Sequence, residues 1–404
     1  MNITANIPLL GGVFDVVFNG ATIESVKPSR KKTDRQLGPA LFDVQVNGYA
    51  GRSCRIGSES RRDALRWITR IMSEQGVGWW MPTVTTASKD ALLNAFRFCA
   101  MALDEDPDTA ASIPGFHLEG PYISALDGPR GAHPAEHTRH PDWDEFQRLQ
   151  TAAGGRIKYV TLAPELPGAI DFIRKLVDSG IVAAMGHTNM TRDDMKAAVD
   201  AGATMCTHLG NGAHDLIQRH NNYIWSQLAC RSCFASFISD GQHLPRDSFY
   251  SMLHAKGLDL SIITSDTVEL GGLKPGIYRG IRGVDRELLP NGRVVMLGTP
   301  YLAGSSSNLR QCLVIAEEWG GISHADAWKL ASMNPARMLD IDHKLGIASG
   351  KDATFAVYRY APADHRQENS FPTIDILETW VAGKKVFDSR TSERAVIPDA
   401  PVEE

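Results

Sequence analysis

Two histidines, His187 and His208, each close a short apolar run, "IVAAMGHT" and "ATMCTHLG". Each run is too short for a helix and is followed by turn residues, which predicts a buried parallel strand. Between them Thr191 and Asp194 form a capping pair, and Met195, Ala198 and Val199 keep helical spacing up to Gly202. The unit is therefore strand, helix, strand, with an imidazole at the carboxyl end of each strand. Ligands of α/β folds gather at those ends. A single strand-end histidine is more often structural, but Glu119 and Asp266 close two further runs, "SIPGFHLEG" and "LSIITSD". Two imidazoles and a carboxylate form a three-ligand set for a catalytic metal with one position left for water, so Glu119, His187 and His208 are the expected ligands. Asp266 is the expected proton shuttle, able to take a proton from the attacking water and return it to a leaving nitrogen; its plainer reading is a turn or cap residue. His117, two before Glu119 on the same strand face, reads equally as a partner of the ligands or as a packed residue.

Those residues must be brought together by the elements around them. Eight strand-like runs lie in the middle of the chain: "ALFDVQVNG", "WWMPTVTT", "SIPGFHLEG", "IKYVTLAPE", "VAAMGHT", "ATMCTHLG", "CFASFISDG" and "LSIITSD". Helical segments such as "RRDALRWITRIMSEQG" and "AIDFIRKLVDSG" separate many of them. Eight strands over about 230 residues predict a (β/α)8 barrel, and polar residues collected at the strand ends favour it over a doubly wound sheet. The opening "GGVFDVVFNGATIESVKPS" and the far "KDATFAVYRY" and "IDILETWVAGKKVFD" read as antiparallel strands, the last with a turn at Ala382 and Gly383. The expected organisation is an α/β fold: a TIM-like barrel over 39–344, a small β domain built from 1–38 and 345–392, and a frayed tail over 393–404. The glycine-rich stretch 271–302, with "NGRVVMLG", reads as a hairpin or lid near the carboxyl face.

Composition narrows the partners. A net charge of −5 and the lack of a basic block argue against nucleic acid or an anionic membrane as partner. No apolar stretch is long enough to span a bilayer, and "MNITANIPLLGG" lacks the features of a secretory signal, so the cytoplasm is the expected compartment. Six scattered cysteines make no disulfide framework, and the one CxxC, Cys230 to Cys233, has no second pair to complete a zinc site.

At "FHLEGPYIS", "GHTNMT", "THLGNGAHDL", "ISDGQHL", "TSDT" and "MNPARMLDI" the sequence resembles the amidohydrolase superfamily, and within it the N-acetylglucosamine-6-phosphate deacetylase family. The likeness runs nearly end to end. It implies a TIM-like barrel with a small β-sandwich from both termini, a homodimer, and one divalent metal ion per subunit, Zn²⁺ being the expected ion. Where many amidohydrolases carry a His-x-His pair for a second metal, this chain has Gln45, Val46 and Asn47, and an amide is a poor transition-metal ligand. The single-metal form is thereby implied, with Gln45 touching the metal's water. By position the resemblance further implies Asp266 as general base and acid and His133 as the hydrogen-bond donor to the amide carbonyl. It implies Arg219 and His243 as a phosphate grip, one of them reaching the neighbouring subunit's site, and Asn211, Gly212 and Leu302 beside the substrate. Two departures bear on the substrate: "GNGA" at Gly210 to Ala213 replaces the common "FNAM", and His220 to Asn222 replace "EPG". The implied activity is removal of acetyl from an amino-sugar 6-phosphate, N-acetylglucosamine 6-phosphate foremost. A different N-acyl sugar or a cyclic amide is the alternative.

Overall fold

A computed structural model of the chain describes residues 1–55, 63–279, 285–364 and 370–401. Eight strands form one parallel sheet in chain order: Leu41–Val46, Val77–Thr85, Phe116–Glu119, Ile157–Leu162, Val182–Met185, Met205–Cys206, Phe234–Ile238 and Ser261–Thr264. They are the eight runs read from the sequence. Their near-continuous burial, complete in Leu41–Val46, is what a parallel sheet covered on both faces requires. Side chains close the ring between the first and last strands: Thr264 Oγ1 and Ser265 Oγ donate to Asp43 at 2.8 and 2.5 Å. Asn47 N donates to Thr267 O at 2.8 Å just beyond. Burial pushes the Asp43 carboxyl up to about 6, although these donors oppose the shift. Between the fifth and sixth strands Thr191 and Asp194 form the expected capping box on helix Arg192–Asp200.

A second sheet draws on both ends of the chain. Its order is Lys384–Asp388, Thr373–Val381, Phe355–Ala361, Gln36–Pro39, Asn2–Ile7, Gly12–Asn19 and Thr22–Pro28. Pairing is antiparallel except between Asn2–Ile7 and Gln36–Pro39. Phe18 and Trp380 sit on strands four places apart, about 19 Å in a flat sheet. Their ring centroids are 5.0 Å apart, so the sheet curls upon itself and encloses its own core with Ile3, Val16, Leu37 and Phe355. At the turn read from the sequence, Ala382 and Gly383 both take positive φ, 48° and 78°, as a tight hairpin requires.

The stretch after the eighth strand is an antiparallel sheet of Gly276–Tyr278, Arg286–Leu288, Arg293–Met296 and Leu302–Ser305. It grows from the barrel mouth: Ser305 N donates to Asp266 O at 3.2 Å, and Val268, Leu270, Leu288 and Val294 share one apolar cluster. The tail differs from expectation over its described residues. Arg70 Nη2 donates to Glu393 O at 2.8 Å, Ala395 N donates to Glu74 Oε1 at 2.8 Å, and Lys274 pairs with Asp399 at 2.7 Å. A segment that reads as proline-rich and polar is thus tied along helix Asp63–Glu74 rather than left loose.

Candidate active site

Glu119 ends the third strand, while His187, His208 and Asp266 each lie two residues past the fifth, sixth and eighth. The last three take left-handed backbone conformations, with φ of 52°, 30° and 49°. Such conformations cost energy for residues with a side chain and are retained where a side chain must be aimed. Here they aim inward. Glu119 Oε1 lies 3.2 Å from His187 Nε2 and 3.0 Å from His208 Nε2, and the two nitrogens are 3.1 Å apart. All three side chains are buried. Burial would push the Glu119 carboxyl up, but the two imidazoles of His187 and His208 against it outweigh burial and hold it well below the usual range.

This triangle fits a divalent ion. Tetrahedral zinc with bonds of about 2.0–2.1 Å separates its ligand atoms by about 3.3 Å, close to the three observed distances. Pro129 O accepts from His187 Nδ1 at 2.8 Å, the outer partner that leaves Nε2 with its lone pair turned inward. Among the described residues Gln45 Oε1 and Asn47 Oδ1 are buried beside the site without a hydrogen-bond partner, as groups waiting on a further ligand would be. A nitrogen of His133 also falls within 4.8 Å of the Glu119 and His187 ligand atoms. His208 Nε2 makes the 3.0 and 3.1 Å contacts to Glu119 and His187, whereas His133 Nδ1 is engaged by Thr86 Oγ1 at 2.7 Å.

The Gln-Val-Asn stretch has a clear task. Gln45 Nε2 donates to Glu119 Oε1 at 2.9 Å, and Asn47 Nδ2 donates to Asp266 Oδ1 at 2.6 Å. Each amide therefore holds one acid. Asp266 is pushed up to about 8 by its burial and by the charge of Glu119, with the Asn47 bond pulling the other way. His117 proves to be packed beneath the site: it stacks on Tyr159 at 3.9 Å and contacts Thr83 Oγ1 at 3.2 Å and Thr161 Oγ1 at 2.8 Å. Burial holds its imidazole down to about 3, so it is neutral under ordinary conditions.

Around the rim the expected substrate residues divide. Asn211 is held to His208 O through its backbone at 2.9 Å, and Gly212 lies flat on His187, where a Cβ would come 2.8 Å from Nδ1. Leu302 opens the inserted strand that reaches Asp266 through Ser305. His243 is half-buried with Nδ1 2.8 Å from Asp240 Oδ2. Arg219 is exposed, its carbonyl accepting from Trp225 Nε1 at 3.2 Å, and among the described residues no hydrogen bond or ion pair joins it to His243. The reading of the sequence assigned nothing to Asn47 or Thr86. Asn47 could have been found from its place two residues after Gln45 on one strand face; Thr86 carries no comparable signal.

A barrel with such a site defines a class. The chain belongs to the amidohydrolase family, whose model matches residues 37–386. It is 31% identical over 360 residues to N-acetylglucosamine-6-phosphate deacetylase of Vibrio furnissii, across 89% of this chain and 84% of that one. It is 30% identical over 336 residues to N-acetylgalactosamine-6-phosphate deacetylase of Escherichia coli O157:H7, across 83% and 86%. Among solved structures it resembles N-acetyl-D-glucosamine-6-phosphate deacetylase of Mycobacterium smegmatis, an aspartate-to-alanine variant in complex with N-acetyl-D-glucosamine-6-phosphate. That match has a TM-score of 0.81 and 26% identity, and covers 96% of this chain and 99% of the other.

Proposed function

We propose that this chain is a metal-dependent deacetylase that hydrolyses the N-acetyl amide of an amino-sugar 6-phosphate, N-acetylglucosamine 6-phosphate first, to acetate and the amino-sugar phosphate. The observation that carries the reading is the convergence of Glu119, His187 and His208 to within 3.2 Å of one another, in a family relative of deacetylases with those substrates in their names. Glu119, His187 and His208 would hold the ion, proposed as zinc. When bound, it supplies Lewis acidity that makes a water more acidic and polarises the amide carbonyl.

The chain's own residues do the rest. Asp266 accepts the proton of the attacking water at the carboxylate that Asn47 steadies, and later donates it to the departing nitrogen so that an amine leaves. His133 donates a hydrogen bond to the carbonyl oxygen as negative charge develops there. Gln45 keeps Glu119 oriented. Asn211, Gly212 and Leu302 line the sugar, and Arg219 with His243 grips the phosphate, as guanidinium and imidazole suit that anion. We further propose a homodimer in the cytoplasm, in which the exposed Arg219 or the half-buried His243 reaches the neighbouring site.

The second reading is the same chemistry on a different N-acyl sugar, favoured by the small residues of Gly210 to Ala213 and by His220 to Asn222. Acetate release from N-acetylglucosamine 6-phosphate, its galactosamine isomer and both unphosphorylated sugars separates the two, with the Asp266→Asn protein as the chemical blank. Fastest release from the glucosamine phosphate is expected; faster release from any of the others would overturn the first reading.

A further inference from the structure

The fourth barrel strand, Ile157–Leu162, lies between the strand that ends in Glu119 and the strand that leads to His187, yet it supplies no residue to the chemistry. Three residues past its end stands Glu165, partly buried. Its Oε2 accepts from Thr188 Oγ1 and its Oε1 from Asn189 N at 2.6 Å, while Met190 N donates to Thr188 Oγ1 at 2.9 Å. These are the three residues that follow His187. On the other side of His187, Gly186 N donates at 3.1 Å to Leu162 O, the last residue of the same fourth strand. Burial pushes the Glu165 carboxyl above its usual value against the pull of its two donors, and among the described residues no cation pairs with it.

We propose that Glu165 is a positioning residue for the metal site, fixing the turn after His187 so that this ligand keeps its left-handed conformation and its place beside Glu119 and His208. This rests on the reading of His187 as a ligand. A left-handed backbone is unfavourable for a residue with a side chain, and His187, at a φ of 52°, keeps it only while the chain is held on both sides. Gly186 is held through the sheet by Leu162, and Ser124 N holds the His187 carbonyl at 3.0 Å. Thr188 and Asn189 lie beyond the strand, and the Glu165 carboxylate ties them to the barrel. Its two oxygens accept from both donors at once. Desolvating a carboxylate without a cation is costly, and these two bonds are the compensation. With the tie removed, the turn relaxes and carries the imidazole away from the 3.2 and 3.1 Å contacts that define the site.

The test measures the zinc affinity of metal-stripped protein by competition with a chromophoric chelator. A group bonded to a ligand's ring typically matters roughly 10- to 100-fold in metal affinity. Glu165 acts one step further away, through the backbone, so Glu165→Ala should raise the zinc Kd roughly 5- to 20-fold. Glu165→Gln should stay within about two-fold of wild type, because its amide can accept from Asn189 N and donate to Thr188 Oγ1. Glu378→Ala, which breaks the ion pair with Arg35 in the second sheet, is the control for lost stability and should leave Kd unchanged. If Glu165→Ala does not fold, Thr188→Val removes one of the two bonds and should raise Kd roughly 3- to 10-fold. Wild-type affinity in the variant that has lost the tie, or an equal loss in Glu378→Ala, would overturn the proposal. So would a glutamine variant as impaired as alanine, since the charge rather than the turn would then favour the ion. Should His187→Ala bind zinc as tightly as wild type, the assignment of His187 as a ligand fails and the role of Glu165 with it. A loss at His187→Ala with none at Glu165→Ala refutes Glu165 alone.

Discussion

Replacing Asn47 by leucine should move the acid limb of the pH profile upward. The side chain keeps its approximate shape, and the backbone bond from Asn47 N to Thr267 O is untouched, so the barrel mouth should survive. What is lost is the 2.6 Å bond to Asp266 Oδ1. A hydrogen bond to a charged group contributes about 1.5–3 kcal/mol, and Asn47 is only half-buried, which favours the lower figure. At about 1.4 kcal/mol per pKa unit, the Asp266 carboxyl should rise by about one unit. Its starting point is already high, about 8 in the protein without an ion, because burial and Glu119 both disfavour its charge. A bound cation will lower that value in both proteins and leave the difference between them. Since Asp266 must be ionised to accept a proton, activity rises with pH through its pKa. The limb of kcat/KM for Asn47→Leu should lie about one unit higher, with roughly ten-fold lower activity below it and recovery above it. A uniform loss at every pH, with the limb unmoved, would refute the argument that Asn47 acts on the ionisation of Asp266.

Three other perturbations follow from the same geometry. His117 is held down to about 3 when folded and has an ordinary value of 6.5, so its stabilising contribution is complete above pH 6.5 and is lost as pH falls toward 3. The stability advantage of wild type over His117→Asn in urea unfolding should therefore shrink by about 2–3 kcal/mol between about pH 7.5 and 4.5, and a constant gap would contradict this. Arg219→Ala should raise KM roughly 10- to 100-fold for a phosphorylated sugar and leave the unphosphorylated analogue unaffected; equal changes would remove the phosphate grip. Gly212→Ala should weaken metal binding measured by equilibrium dialysis, because the new Cβ would meet His187 Nδ1 at 2.8 Å where φ is already 57°. Unchanged affinity would show that His187 tolerates the intrusion.

The barrel was legible because each strand is an apolar run ended by a polar residue, and a strand's carboxyl end is where such residues converge. The gathering of His187 and His208 around Glu119 at the barrel mouth could be expected for that reason. The connections among them could not. Gln45 meets Glu119 across 74 residues of chain, Asn47 meets Asp266 across 219, and Thr86 meets His133 across 47. Local periodicity carries no record of which side chains face one another over such separations. The same limit applies to the second sheet: five of its seven strands lie in the runs read from the sequence, Asn2–Ile7 and Gln36–Pro39 do not, and the curl that brings Phe18 onto Trp380 depends on twist accumulated over the whole sheet. The tail misled because its composition is that of a loose end, while its order comes from Glu74, Arg70 and Lys274 on other elements.

The central claim is that Glu119, His187 and His208 hold one ion on which turnover depends. Zinc titrated into chelator-stripped protein, with bound metal and acetate release from N-acetylglucosamine 6-phosphate measured on the same samples, tests it directly. Turnover should rise in proportion to bound zinc and level off at about one ion per chain, as a single three-ligand site requires. Turnover in the stripped protein, or a plateau reached only at about two ions per chain, would contradict the account.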